Sequence, residues 1–487
     1  SMSRVLIRRL TCFSTAAVIL LITCLIIQNF FEITSSSFGG DAAQNVRSSL
    51  NLAKYGIYSQ ESISPDIAPG YRREPLPNFL LAFYLRIANE FHPSLFNQIG
   101  MSFSNEFILF VKQINLVWAS ALYFGLWTTS RLIFSPLLAA NCLSFLQILA
   151  VNEFFIVKSI DTMNTELIAG MILVWLGVML LAASRSRSLR WLMASGFVLG
   201  LFVLTKASGA YIALIVLPIL ALALSGFNKR FWMSFLIVST GFVLTIAPWV
   251  ARNQLQFSKF AIAEGGGDIL LIRSAFNTMN KHQFTDAFYA YAPRDIRHHF
   301  LGPLMNLSDE DYICEGRLSV FNRNLECDQR ALNEERYSDV RSFYQQGKRA
   351  IPSELSIAKD QRKAIALRSF REQPLNLLLT SIPMAWRGFW GFRSQSWPNI
   401  LLNFMAYSAL LIAPILAVIE RRISWLMVSI VPTSLFLFYS LFSHFLTRYS
   451  SPFVPVSLVC LSMLIVDIWE RLFLNFLPGK SPIIRLH

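Results

Sequence analysis

Ten apolar runs, each long enough to cross a bilayer, constrain what this chain can fold into. A helix needs about 20 consecutive apolar residues to span the hydrocarbon layer. Such runs occur near 13–33, 107–128, 134–153, 163–184, 190–206, 208–226, 231–250, 399–419, 423–441 and 452–470. Inside lipid the backbone must satisfy its own hydrogen bonds, which helices do within one segment. The expected fold is therefore an all-α polytopic membrane protein with about ten transmembrane helices. Two shorter runs, 76–90 and 374–392, carry charges and read as helices lying in the interface. The first run follows Arg4, Arg8 and Arg9, and no small-residue cleavage site follows it, only Asn29-Phe30-Phe31-Glu32. An uncleaved first span is expected.

Composition agrees. Of 487 residues, 54% are hydrophobic and 15% charged, against about 25% charged in soluble domains. The formal net charge is +14, which in a soluble protein would raise nucleic acid as a partner. Here the basic residues punctuate apolar runs and form no stripe interleaved with aromatics, so nucleic acid is set aside. Membrane orientation and anionic headgroups account for the excess.

The basic residues also orient the chain. With a cytoplasmic N-terminus, the inner loops hold Arg131, then Arg185, Arg187 and Arg190, then Lys229 and Arg230, then Arg421 and Arg422. The tail, with Arg471, Lys480 and Arg485, also falls inside. Promoting 374–392 alone to a span would move Arg421 and Arg422 outside. Both long polar segments, 34–106 and 251–373, then face outward. The expected organisation is an N-terminal transmembrane core over 1–250 that includes the outer loop 34–106. An outward cap over 251–373 follows, then an interfacial helix with the last spans over 374–487. Cys314 and Cys327 lie in the cap without CxxC or histidine partners, so a disulfide in an oxidising compartment is expected. Cys12, Cys24, Cys142 and Cys460 lie in or beside apolar runs and read as small hydrophobes.

Chemistry-bearing residues gather on the outer side of this topology. Phe38-Gly39-Gly40-Asp41 opens the first outer loop. Apolar residues at 42, 43, 46, 50 and 53 then fit one helical face, closing at Gly56 as a C-cap. Asp41 reads as the N-cap of that helix or as an acid facing a cavity, and the two roles are compatible. Arg72, Arg73 and Glu74 follow; paired arginines beside a membrane serve as headgroup contacts or as a phosphate grip. Lys158, Asp161 and Glu166 stand in the next outer loop, where acids at the mouth of a span need a cation or a polar cavity. Lys206 ends the fifth span, where the plain alternative is snorkelling. Arg252 ends the seventh, and His444 and Arg448 join the last two. An acid among several cations suits a reaction on a phosphate-bearing lipid. His298-His299 lacks a ligand set and reads as surface.

These segments resemble the GT-C glycosyltransferases, membrane enzymes that use polyprenyl-phosphate sugars. The similar stretches are Gly40-Asp41, Asn51–Tyr58, Arg73-Glu74-Pro75, Lys158–Asp161, Gly200–Lys206, Pro248-Trp249 with Arg252-Asn253, and Arg448-Tyr449 with Pro452. They run in the family's order over most of the chain, and each alone is degenerate. The resemblance implies a GT-C-like bundle with an outward, periplasmic active site in a bacterial inner membrane. It implies an inverting transfer with Asp41 as catalytic base and Asp161 orienting acceptor, sugar or cation. Arg72, Arg73, Glu74, Lys206, Arg252, His444 and Arg448 would bind the lipid phosphate or donor. The implied partners are an undecaprenyl-phosphate sugar, a lipopolysaccharide, O-antigen or other envelope-glycan acceptor, and membrane lipids. A companion transferase that makes the donor and a flippase that delivers it are also implied.

The chain departs from the family in two places. The aminoarabinose branch has Glu-Lys-Pro where this chain has Arg73-Glu74-Pro75, so that branch's phosphate-binding lysine has no counterpart. The Trp-Trp-Asp motif of oligosaccharyltransferases is absent. A divalent cation, magnesium or manganese, shared by Asp41 and Asp161 stays open, as does the metal. A polymerase or ligase of lipid-linked glycans is a second enzyme reading. A transporter or flippase is the reading from another class, but mid-span charges and matched broken helices are missing.

Overall fold

The computed structural model describes residues 2–314, 316–322, 342–348, 359–476 and 485–486. Its main helices are α1 (Met2–Glu32), α2 (Gly40–Tyr55), α3 (Pro75–Phe91), α4 (Asn105–Lys112), α5 (Ile114–Ile133), α6 (Leu137–Val151) and α7 (Glu166–Ser186). Then come α8 (Leu189–Val203), α9 (Gly209–Ser225), α10 (Lys229–Phe257), α11 (Gly266–Phe276) and α12 (Lys281–Tyr291). The last are α13 (Lys359–Glu372), α14 (Pro374–Gly388), α15 (Trp397–Ile419), α16 (Ile423–Phe442) and α17 (Val454–Phe476). Among the described residues the only sheet is a two-residue antiparallel pair, Phe134–Ser135 with Arg485–Leu486.

Eight helices among the described residues are long and apolar enough to cross a membrane, and they coincide with eight of the ten expected runs. The chain is a multi-pass membrane protein. The other two runs form α8 and α9, of 15 and 17 residues. At 1.5 Å per residue, α8 rises only about 22 Å, short of the roughly 30 Å hydrocarbon layer. It stops because the chain turns at Leu204–Ser208, where Thr205 and Lys206 both donate their N–H to Phe202 O. The two charged apolar runs are helices α3 and α14, each begun by a proline at its first turn, where the missing N–H costs nothing. On α14, Leu375, Leu378, Leu379 and Ile382 are exposed while Thr380 and Met384 are buried. An exposed apolar face of that spacing suits a helix lying along a bilayer.

The chain divides into two compact units. The first comprises residues 1–264, 405–433 and 451–487, the second 265–404 and 434–450. In the first, α6 carries a ladder of amides that tie it to its neighbours. Asn141 donates to Ser14 and Thr15 of α1 and accepts from Trp127 of α5. Gln147 donates to Ser462 of α17 and accepts from Ser130. Asn152, where the helix widens into a π-turn, accepts from Tyr123 at 2.7 Å and from Asn29 at 3.0 Å. Interhelical bonds of this kind replace the hydrophobic drive that lipid removes. Helices α8 and α10 instead meet through glycine: a Cβ on Gly196 would strike the Val238 carbonyl, and one on Gly241 that of Met193.

In the second unit, Arg273 is fully buried and donates from Nη2 to Leu377 O and to Thr380 Oγ1. Burial pulls its guanidinium down to about 9. Arg317 grips the buried Asp286 with two bonds of 2.8 and 2.6 Å.

Candidate active site

The linker after α1 ends in Gly39 and Gly40, and α2 begins at Gly40. Gly39 is the N-cap, with extended φ and ψ and no side-chain capping bond. The N-cap reading of Asp41 is therefore corrected. The carboxylate sits in the first helical turn, where the dipole favours an anion, and it is turned toward another partner. That partner is Arg73, whose Nη1 lies 3.1 Å from Asp41 Oδ1. The Asp41 side chain is 40% exposed and that of Arg73 19%. Gly56 does close the helix in the left-handed region, at φ 71°.

Arg73 is placed by several bonds. Its Nε donates to Asn45 Oδ1 at 3.1 Å, one turn along α2 from Asp41. Asn45 in turn donates to the Met163 carbonyl, which ties α2 to the loop ahead of α7. The buried Tyr58 hydroxyl donates to the carbonyls of Arg73 and Glu74 and accepts from Asn78. Burial pushes the Tyr58 phenol well up, so it stays a neutral donor. Arg73 Nη2 makes no hydrogen bond to a described residue, which leaves one donor edge of the guanidinium open.

Asp161 is held by groups that the sequence reading did not single out. Lys112 Nζ lies 2.9 Å from Asp161 Oδ1 and 2.5 Å from the Ser35 carbonyl. The Ser35 N–H donates to Asp161 Oδ2 at 2.9 Å. Asn115 fixes the same loop through the carbonyls of Ile160 and Thr162. These bonds join the end of α1, the start of the Asn105–Ile133 span and the loop 157–165 at one end of the first unit. Asn45, Asn78, Asn115, Met163 and Asn164 line a cavity there of about 20 Å³, room for one water.

The remaining predicted residues divide. Lys206 pairs with Glu166 across 3.4 Å, with both side chains largely buried. Arg252 donates to the Gly70 carbonyl and to Asn253, and its guanidinium stacks 4.6 Å from the Trp249 ring centroid. Arg72 is exposed, and Glu74 occupies the N-cap position of α3 without a capping bond. His444 and Arg448 belong to the second unit. There the His444 carbonyl accepts from Arg387, its ring meets Tyr449 edge-on, and Arg448 lies over Tyr449. His298 bonds Asp309. Cys314 is disulfide-bonded, while its expected partner Cys327 lies outside the described residues. Cys12, Cys24, Cys142 and Cys460 are free.

No protein-family model matches the chain, and neither does any curated protein. Among solved structures, it is similar to an oligosaccharyltransferase from Archaeoglobus fulgidus in complex with zinc and sulfate. That match has 12% identity and a TM-score of 0.48, and covers 95% of this chain and 50% of that one. The oligosaccharyltransferase AglB of the same organism, with an inhibitory peptide and a dolichol-phosphate, gives 12%, 0.47, 97% and 53%. ArnT from Cupriavidus metallidurans bound to undecaprenyl phosphate gives 12%, 0.37, 96% and 82%. The chain spans about half the length of the archaeal enzymes.

Proposed function

We propose that this chain is an inverting glycosyltransferase of the GT-C kind. It moves a sugar from a polyprenyl-phosphate donor, undecaprenyl phosphate in a bacterial inner membrane, to an envelope glycan such as lipopolysaccharide or O-antigen. The observation that carries the reading is the Asp41–Arg73 pair, an accessible carboxylate beside a guanidinium with one edge open. The order of motifs from Gly40-Asp41 to Arg448-Tyr449 supports it.

The chemistry follows from those groups. Asp41 takes the proton of the acceptor hydroxyl, acting as general base. The acceptor oxygen forms a bond to the anomeric carbon from the face opposite the phosphate. The bond from that carbon to the phosphate oxygen breaks, and its electron pair leaves with the polyprenyl phosphate. A phosphate leaving group needs no general acid, but it needs positive charge where its negative charge grows. Arg73 Nη2 would supply that charge, and the exposed Arg72 lies next to it in sequence. The outward, periplasmic orientation belongs to this proposal, because the donor is delivered to that face and the basic loops fall on the other.

The test is direct transfer. Purified protein is incubated with a polyprenyl-phosphate sugar labelled in the sugar, together with envelope glycan acceptors. Label should move to an acceptor, and glycans from membranes with and without this chain should differ by that residue. Label that stays on the polyprenyl phosphate with every acceptor would refute the reading.

A further inference from the structure

We infer that Lys112 is the resident cation of this site, fixing Asp161 and the linker to Asp41 so that transfer proceeds without a divalent metal ion. The inference rests on the proposed transferase reading for its activity tests and on geometry alone for its ion-binding test.

Lys112 is the last residue of α4 and is fully buried. A buried ammonium is costly unless paired and hydrogen-bonded, and this one has both an acid and a carbonyl within bonding distance. Its two ligands are themselves joined, because the Ser35 N–H closes onto the other oxygen of Asp161. The result is a closed triangle of Lys112, Asp161 and the Ser35 peptide. Among the described residues, the linker 33–39 makes its hydrogen bonds to distant parts of the chain through Ser35 alone. Six residues on stands Asp41. Lys112 therefore sets where the linker runs and where α2, with its carboxylate, begins.

The same triangle bears on the metal. A magnesium or manganese ion bridging Asp41 and Asp161 would need oxygens from both acids and a largely oxygen shell. Both oxygens of Asp161 are already engaged, one by an ammonium and one by an N–H. Asp41 faces a guanidinium at 3.1 Å. A divalent ion would stand beside two fixed positive charges, an arrangement Coulomb repulsion disfavours. Among the described residues no group of three or more His, Cys, Asp or Glu is placed to hold a metal. The donor set does not fit a divalent ion. Lys112 does not touch substrate; it is a positioning residue.

The experiment uses the purified full chain. Wild-type transfer should run at the same rate in EDTA as with added manganese. Titration with manganese, followed by electron paramagnetic resonance, should show no stoichiometric binding. Lys112→Met should lower kcat about 100-fold, the usual cost of a misplaced reacting group, while donor KM changes less than about threefold. Lys112→Arg should restore part of kcat. Should Lys112→Met fold poorly, the double variant Lys112→Met with Asp161→Asn removes the stranded carboxylate and should restore folding but not kcat. Activity lost in EDTA and regained with manganese would overturn the inference. So would stoichiometric manganese binding abolished by Asp161→Asn, or wild-type kcat in Lys112→Met. If wild type transfers no sugar at all, the transferase reading fails, and the manganese titration by itself decides between an ammonium-held and a metal-held Asp161.

Discussion

Arg73 reaches Asp41 with Nη1 and Asn45 with Nε, so one guanidinium spans a full turn of α2. The planar fork makes this possible, because its donors are fixed in relative direction. Arg73→Lys keeps the charge but cannot hold both groups and still present an open donor edge. Donor KM should rise about tenfold, the worth of roughly one 1.4 kcal/mol hydrogen bond. Initial rates against donor concentration measure it; an unchanged KM would place the phosphate elsewhere.

Lys206 is assigned a structural partner rather than an open one. Its ammonium lies 3.4 Å from Glu166, whose side chain is 9% exposed. Removing one member of a buried ion pair takes away charge compensation that the other relied on. Lys206→Met should destabilise the protein by about 3 kcal/mol, read as a lower thermal midpoint in detergent, with donor KM little changed. A normal midpoint with a raised KM would return Lys206 to phosphate binding.

The glycine contact between α8 and α10 leaves no room for a side chain. Gly241→Leu would drive a bulky group into the Met193 backbone, at a cost of about 3 kcal/mol or more. The expected outcome is a sharp fall in folded protein recovered from membranes, measured by monodispersity after solubilisation. Normal recovery would mean that the two helices do not approach at Gly241.

The second unit carries an acid whose titration bears on stability. Burial raises the Asp309 carboxyl, but the bond from His298 and the charge of Arg297 outweigh it and hold it below its ordinary value of 3.8. A depressed acid adds stability that is fully present above its unfolded value and is lost as pH falls through the folded one. The thermal midpoint should therefore decline below about pH 4, and Asp309→Asn should flatten that decline. An identical slope in the variant would show that Asp309 does not contribute.

Much of this was readable from the residues. The apolar runs located the spans because a membrane helix is recognised by length and composition rather than by a delicate period. The glycine pair before Asp41 signalled a turn, but whether Gly39 or Asp41 capped α2 depended on backbone angles that spacing does not determine. Lys112 escaped because it sits inside Phe107-Ile108-Leu109-Phe110-Val111-Lys112, where a lone lysine reads as the ragged edge of a span. Its partners lie 77 and 49 residues away, and no local rule links them. Tyr58 stood within a recognised motif, yet its grip on the Arg73 and Glu74 carbonyls is a tertiary bond. Arg252 is a further case of contacts that no local spacing announces. Its charge suggests phosphate, and its planar surface also lies against Trp249 while Nη1 donates to the Gly70 carbonyl and to the Asn253 side chain.

The central claim is that Asp41 takes the acceptor proton, and Asp41→Asn tests it most directly. The replacement keeps the shape and removes the base. Transfer by the purified variant should fall at least about 1,000-fold, within the range general-base catalysis supplies, while polyprenyl phosphate still binds and the thermal midpoint stays near that of wild type. Transfer at the wild-type rate by a folded Asp41→Asn protein would contradict the account.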